Sequence, residues 1–390
     1  MINNLKEKDK AYIADTYARF DLALVSGKGS LVYDENGKEY IDLATGIAVN
    51  TFGVADEGVK NAVIAQFDKI QHTSNLYYSE PCAVLAETLC KRTGAKKVFF
   101  GNSGAEANEC AIKVARKWSL EANGKGRYTI ITLKNSFHGR TLTTLSATGQ
   151  DVFHQYFDPF TEGFVFAEAN NLESVKALVK QNGCAAVMIE LVQGEGGVMA
   201  LDPAFVKGVE ALCREKNMLL IIDEVQTGNG RTGTLYAYEQ YGVQPDIVTT
   251  AKGLGGGLPI GAAILFDRTE NTLTHGSHGS TFGGNPIACA AGAAVLERID
   301  ETLLKEVREK SEYVFKELRG ADGIESVSGL GLMIGIQTKK PVDEVLQACI
   351  RAGVLPIKAK QKLRLLPALN IPWELLKKGI ETIKQAAKGE

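Results

Sequence analysis

A single lysine, Lys252, stands between the β-branched run Ile247-Val248-Thr249-Thr250 and a glycine cluster at Gly253 and Gly255 to Gly257. A short β-branched run reads as a buried strand, and glycines directly after it let the backbone come close to a bound ligand. Ligands of open α/β sheets sit at the carboxyl ends of strands. A lysine desolvated there loses proton affinity, which frees its amine to form a Schiff base with an aldehyde. Taken alone, the stretch fits a surface lysine beside a flexible loop more simply, so other residues have to decide.

Several loops carry groups that could share a site with Lys252. Gly101-Asn102-Ser103-Gly104 follows an apolar run at 98–100 and precedes a helix beginning at Ala105. That order suits a phosphate held by free amides and the helix dipole, or equally a helix cap at Ser103. It is neither a Walker loop nor a Gly-x-Ser-x-Gly elbow. In the segment Ser136 to Thr141, Phe137 could stack on a flat cofactor and Arg140 could fork onto a carboxylate, or they could be core and surface charge. Two apolar runs end in carboxylates. One reaches Glu190, with Gln193-Gly194-Glu195-Gly196-Gly197 after it, and the other reaches Asp223-Glu224-Val225-Gln226. A buried acid in such a place must be paired or hydrogen-bonded, whereas Glu224 reads as a helix cap or loop residue. His275 and His278 lack a cysteine or acid at ligand spacing, so no metal is expected.

Bringing these groups together requires strands that alternate with helices and end on one side. Apolar runs at 98–100, 128–133, 184–189, 218–222, 246–250 and 260–266 read as strands, and helical spacing recurs at 59–69, 81–92, 105–120 and 287–299. The fold class is therefore α/β, with one site at one edge of a mainly parallel sheet. Weak helical patterning covers 9–19. Strands at 31–33 and 40–42 flank Asn36-Gly37, a hairpin signal. After the sheet region, helices at 301–318, 342–352 and 372–387 mix with extended segments at 327, 332–336 and 363–366. The expected division is a large domain over 51–290 and a smaller α+β domain built from 1–50 and 291–390.

The 390 residues are 45% hydrophobic and 23% charged, which suits a soluble protein of two domains. A net charge of -2 with dispersed Lys and Arg argues against a nucleic-acid or anionic-membrane partner. No stretch approaches the ~20 apolar residues of a membrane span, and the amino terminus lacks a signal-peptide core. Seven cysteines without a Cys-x-x-Cys pair fit a reducing compartment, so a cytoplasmic location is expected.

A Schiff-base lysine, a phosphate cradle, a stacking aromatic and an acid are together what pyridoxal phosphate chemistry needs. With these residues in order, the chain closely resembles the class III, ornithine-type aminotransferases, and among them the branch acting on N-acetylornithine. The resemblance runs from Gly46-Ile47-Ala48-Val49-Asn50 to Arg364-Leu365-Leu366-Pro367-Ala368-Leu369. It includes Gly101 to Asn108, Phe137 to Thr141, Gln193 to Gly197, Asp223 to Gly228 and the Lys252 loop. The resemblance implies the pyridoxal-phosphate-dependent transferase fold of type I. Lys252 would hold the cofactor and move the proton, Asp223 would pair with the pyridinium nitrogen, and Gln226 would sit by the phenolic oxygen. Phe137 would stack on the ring, and Gly104 and Ala105 would hold the phosphate. The implied cofactor-binding set also takes in Ser103, Glu224 and Val225. Thr281 would reach the phosphate of the partner subunit's cofactor, making a homodimer with shared sites. Arg140 and Ser280 would bind the acetylornithine end, and Arg364 the α-carboxylate of glutamate or 2-oxoglutarate, with Glu195 as its gate.

The implied reaction moves the terminal amino group of N-acetylornithine to 2-oxoglutarate. Ornithine, succinylornithine, 4-aminobutyrate and succinyldiaminopimelate are rival donors, and an intramolecular aminomutase is a rival reaction; Ser74-Asn75-Leu76-Tyr77 looks more like the acetylornithine branch. A dinucleotide site at Gly255-x-Gly257 lacks its third glycine. The chain departs from the family at Gly53-Val54-Ala55-Asp56-Glu57, where a Gly-His-x-His-Pro turn is usual, and at Asn229.

Overall fold

The computed structural model describes residues 5–389. Its central sheet has seven strands in the order Lys97–Gly101, Gly261–Leu265, Ile247–Thr250, Leu219–Asp223, Cys184–Ile189, Thr129–Leu133, Phe164–Ala167. Gly261–Leu265 runs antiparallel to both of its neighbours, and the other pairings are parallel. Every residue of the five strands from Gly261–Leu265 through Thr129–Leu133 is buried. Burial on both faces explains why these segments read as unbroken apolar runs rather than as alternating ones.

Pairing places Gly101 opposite Gly261, Thr250 opposite Ala262, Asp223 opposite Thr249 and Ile222 opposite Ile189. Gly101, Gly261, Ala251, Asp223 and Glu190 therefore arrive at one edge of the sheet. The helix Gly104–Asn123 starts at this edge and lies on the sheet through Ala107, Cys110, Ala111, Val114 and Ala115, all buried at helical spacing. Gly261 permits its approach, because a Cβ there would fall 2.1 Å from the Ser103 carbonyl oxygen.

The hairpin expected around Asn36-Gly37 forms, with Gly37 at φ +79 and strands Leu31–Asp34 and Glu39–Asp42 paired antiparallel. Val354–Leu355 adds to that sheet parallel to Glu39–Asp42, so residues near both ends of the chain share it. A further antiparallel sheet, in the order Ile324–Leu330, Met333–Thr338, Lys362–Leu365, Ile357–Ala359, carries Arg364 opposite Gly335. Among the described residues no helix is long and apolar enough to cross a membrane.

Two local expectations fail. The helix expected at 9–19 is limited to Leu5–Tyr12, which has no buried residue to anchor it. Phe164–Ala167, which sequence reading left out, is an edge strand with three of four residues half-buried, too short and too exposed for a clear pattern. The unusual turn at 53–57 is held locally. Gly53 has φ +84 and lies against Gly29, while Asp56 caps the Glu57–Phe67 helix and accepts 2.5 and 3.0 Å hydrogen bonds from Arg298.

Candidate active site

The edge where the strand ends converge carries a cavity of about 470 Å3. Ser103, Gly104 and Ala105 line it from the helix start, Phe137 and Arg140 from the loop after Thr129–Leu133, and Glu190 and Glu195 from beyond Cys184–Ile189. Asp223, Val225, Gln226 and Lys252 also line it, as do Asn108 and His138. Ser103 and Lys252, 149 positions apart in the chain, thus face one space because parallel strands deliver their carboxyl ends together.

Asp223 is 4% exposed, and its carboxylate is fixed by three donors. Asn108 Nδ2 and His138 Nδ1 each lie 2.8 Å from Oδ2, and the Val225 amide donates to Oδ1 at 3.0 Å. An ionised carboxylate has about four acceptor positions. One therefore remains on Oδ1, on a residue that lines the cavity.

Lys252 follows its strand in a left-handed conformation, φ +43, at the start of a short turn from Lys252 to Gly255. Burial lowers its proton affinity, and the nearby positive charge of Arg364 lowers it further; Glu195, Asp223 and Glu190 act in the opposite direction without reversing the result. A lower proton affinity leaves more of a lysine as the free, nucleophilic amine. Glu190 accepts from the Phe137 amide at 2.8 Å and the Gly194 amide at 3.2 Å. Burial nevertheless pushes its carboxyl up to about 7.

Arg364, 2% exposed, donates from Nη1 to Glu195 at 2.6 Å and to Gln226 at 3.1 Å. A planar guanidinium in this place matches a carboxylate, which Glu195 currently supplies. Arg140 lies 4.0 Å above the Phe153 ring and 5.6 Å from that of Phe137, an aromatic cradle for a second cation at the same cavity.

Four residues expected in the site lie outside this lining: Arg364, which reaches it through its hydrogen bonds to Glu195 and Gln226, and Glu224, Ser280 and Thr281. Glu224 faces away, accepting from Thr227 Oγ1 and the Tyr238 amide, since successive side chains at a strand end point to opposite sides. Ser280 reaches the site through Asn102, whose Nδ2 is 3.2 Å from its hydroxyl. Thr281 is exposed and lines a separate recess of about 270 Å3 with Asn75, Tyr77 and Tyr78. Conversely, sequence reading gave no role to Asn108 or His138, and marked Glu190 only as an acid that ends an apolar run. The available signals were a polar residue four positions into a helix of small apolar residues and a histidine inside an aromatic loop.

Residues 12–387 match the family described as Aminotransferase class-III. The chain is 52% identical over 385 residues to an acetylornithine aminotransferase of Haemophilus ducreyi, covering 98% of each chain. It is 44% identical over 385 residues to a succinylornithine transaminase of Yersinia pseudotuberculosis, covering 95% of this chain and 93% of that one. Among solved structures, an ornithine aminotransferase of Toxoplasma gondii superposes with a TM-score of 0.93 at 30% identity, over 100% of this chain and 94% of that one; its description reports partial occupancy of PLP at the active site. Matching in family, sequence and fold over nearly its full length, the chain belongs to the class-III aminotransferases.

Proposed function

We propose that this enzyme is a pyridoxal-phosphate-dependent transaminase that moves the terminal amino group of N-acetylornithine to 2-oxoglutarate, giving N-acetylglutamate 5-semialdehyde and glutamate. The observation that carries the reading is the convergence of Lys252, Asp223 and the start of the Gly104–Asn123 helix on one cavity. The residues present fit the cofactor. A Cβ at Gly104 would come 2.7 Å from Val225 Cγ1, so glycine keeps the helix start flush against the cavity wall, and the first amides of a helix have no acceptor within it. Gly104 and Ala105, with Ser103, would hold the phosphate, Phe137 and Val225 would flank the ring, and Gln226 would take the phenolic oxygen. The carboxylate of Asp223, with its free acceptor position, suits a protonated ring nitrogen.

When bound, pyridoxal phosphate supplies an aldehyde that joins the Lys252 amine and a ring that withdraws electrons from the amino-bearing carbon of the substrate. Lys252 would be the base that takes the proton from that carbon and hands it on to the cofactor, a role its lowered proton affinity suits. Glu195 covers Arg364 while the donor occupies the site, and Arg140 and Ser280 bind the donor's far end. When the dicarboxylate acceptor enters, Glu195 swings aside and Arg364 takes the α-carboxylate. Two substrates thereby use one site in turn, as ping-pong chemistry requires.

We place the enzyme in a homodimer in which Thr281 reaches the partner's cofactor phosphate. Leu76, Tyr77, Tyr78 and Phe282 are 88%, 73%, 106% and 60% exposed around that recess, an apolar patch that supports a covering copy. The relative acting on succinylornithine keeps that donor as a second reading. The test is glutamate formation from 2-oxoglutarate with N-acetylornithine, N-succinylornithine and ornithine as donors. The reading expects the highest kcat/KM for N-acetylornithine and none above background for Lys252→Ala. A higher value for N-succinylornithine would move the assignment to that donor, and turnover by Lys252→Ala would remove the mechanism.

A further inference from the structure

Arg231 is 3% exposed and lies outside the cavity, yet no carboxylate among the described residues answers its charge. Burial alone acts on it, drawing its pKa down to about 9, so it stays a cation at neutral pH. A buried charge without an opposite partner is costly, and an apolar side chain of similar length would fill the place without that cost. What Arg231 holds therefore has to account for it.

Its Nη1 donates to two carbonyls, that of Pro367 at 2.5 Å and that of Leu332 at 3.2 Å, while its own carbonyl accepts from the Leu332 amide at 3.0 Å. Leu332 directly precedes the strand Met333–Thr338, and Pro367 lies just beyond Lys362–Leu365. These strands pair antiparallel with Ile334 opposite Leu365 and Gly335 opposite Arg364, a register that continues to Leu332 opposite Pro367. Arg231 thus bridges the strand pair of Arg364 where its ladder ends. Gly331, at φ +60, makes room for this, since a Cβ there would fall 2.6 Å from the Arg231 carbonyl oxygen.

Residues 363–369 are all buried, so their carbonyls need donors from the protein. Leu366 receives one from Thr45 Oγ1 at 2.5 Å and Leu369 one from Lys310 Nζ at 3.2 Å. Lys310 has Glu306 beside it at 2.8 Å, so of the two cations only Arg231 comes without an acid. The loop that carries Arg231 also carries Gln226, whose Oε1 accepts from Arg364 Nη1 at 3.1 Å. One loop therefore holds Arg364 twice, at its guanidinium and through the backbone that follows it. Arg364 Nε is buried without a partner, a donor left open for a ligand.

We propose that Arg231 is a positioning residue for the acceptor: by clasping Leu332 and Pro367 it fixes the strand pair of Arg364 against the loop of Gln226, so that the guanidinium stands ready for the incoming carboxylate. The proposal rests on the acceptor role given to Arg364 above. Arg231 touches neither substrate, and its effect passes entirely through Arg364.

The test uses the holoenzyme and follows each half-reaction separately by the cofactor's visible absorption. For Arg231→Met the proposal expects kcat/KM of the acceptor half-reaction with 2-oxoglutarate to fall roughly tenfold or more, and that of the donor half-reaction with N-acetylornithine to change less than about threefold. Arg231→Lys, which keeps the charge and one of the two contacts, should recover part of the acceptor loss. Equal losses in both half-reactions, or none, would overturn the proposal, since a packing role gives no reason for one substrate to suffer more than the other. Should Arg231→Met fail to fold, the same comparison in Arg231→Lys decides, with an acceptor loss of at least about threefold expected and the donor half-reaction unchanged.

Arg364→Ala, measured alongside, separates the two levels. If it slows both half-reactions alike, the acceptor role of Arg364 has failed and the proposal with it; if it is selective for the acceptor and the Arg231 variants are not, only the proposal has failed. A readout independent of turnover is the place of the Arg364 guanidinium in a crystal structure of the most disruptive variant that folds. A displacement of about 1 Å from the wild-type position is expected, and an unmoved guanidinium would overturn the proposal.

Discussion

Arg364 is almost fully buried, yet its charge is answered by a glutamate that is 31% exposed, which makes the pair easy to open from the solvent side. Replacing Arg364 with Ala should raise KM for 2-oxoglutarate by roughly one to two orders of magnitude, the worth of a charge-assisted hydrogen-bonded carboxylate contact, with a much smaller change for the amino donor. Steady-state kinetics with each substrate varied in turn checks this, and equal effects on both would contradict the gate. At this scale the sequence was legible where a group ends an apolar run, as Asp223 and Lys252 do. It was not legible where the role is a pairing across the fold. Asn108 and His138 meet Asp223 over separations of 115 and 85 residues, and no local pattern announces such contacts.

The helix Gly104–Asn123 links the sheet to the chemistry. Ser103 caps it by accepting from the Glu106 amide, so the cap and phosphate readings of Gly101-Asn102-Ser103-Gly104 are compatible: the side chain of Ser103 serves the helix while the amides that follow line the cavity. Gly104→Ala should weaken cofactor retention roughly tenfold, because the added methyl meets Val225 at 2.7 Å and pushes the helix start away. Adding Val225→Ala should recover part of the loss, as the cofactor dissociation constants of the two single variants and the double variant would show. Losses that simply add would mean that the two residues do not share this contact. Central strands were readable because they are apolar on both faces. The edge strands Leu24–Lys28, exposed at four of five residues, and Phe164–Ala167, half-buried at three of four, escaped notice because neither shows an apolar run or a clean alternation.

Across the whole molecule, the parallel sheet accounts for a site assembled from distant loops, and it also buries carboxylates. Burial pushes Glu224, on the far side of the strand end from the cavity, up to about 7. Between its ordinary value of 4.5 and about 7 the folded protein keeps a proton that the unfolded chain has lost, so stability falls as pH rises through this window. Glu224→Gln, whose amide can still accept from Tyr238 and donate to Thr227, should flatten the pH dependence of unfolding free energy of the cofactor-free protein between pH 5 and 8, by up to about 3 kcal/mol. Chemical denaturation across that range measures it, and an unchanged slope would show that Glu224 is ionised in the fold. The overall architecture was largely visible in the sequence, down to the hairpin at Asn36-Gly37. The sharing of one sheet by Glu39–Asp42 and Val354–Leu355 was less so, because strand pairing across 313 residues, from Ile41 to Val354, leaves no local trace. Whether Lys252 serves two substrates in turn in one cavity is read from the visible absorption spectrum of the purified enzyme before and after N-acetylornithine is added without an acceptor. A band from the lysine-bound cofactor should bleach with the donor and return with 2-oxoglutarate. A protein with no such band, or one whose band N-acetylornithine leaves unmoved, would contradict that double role.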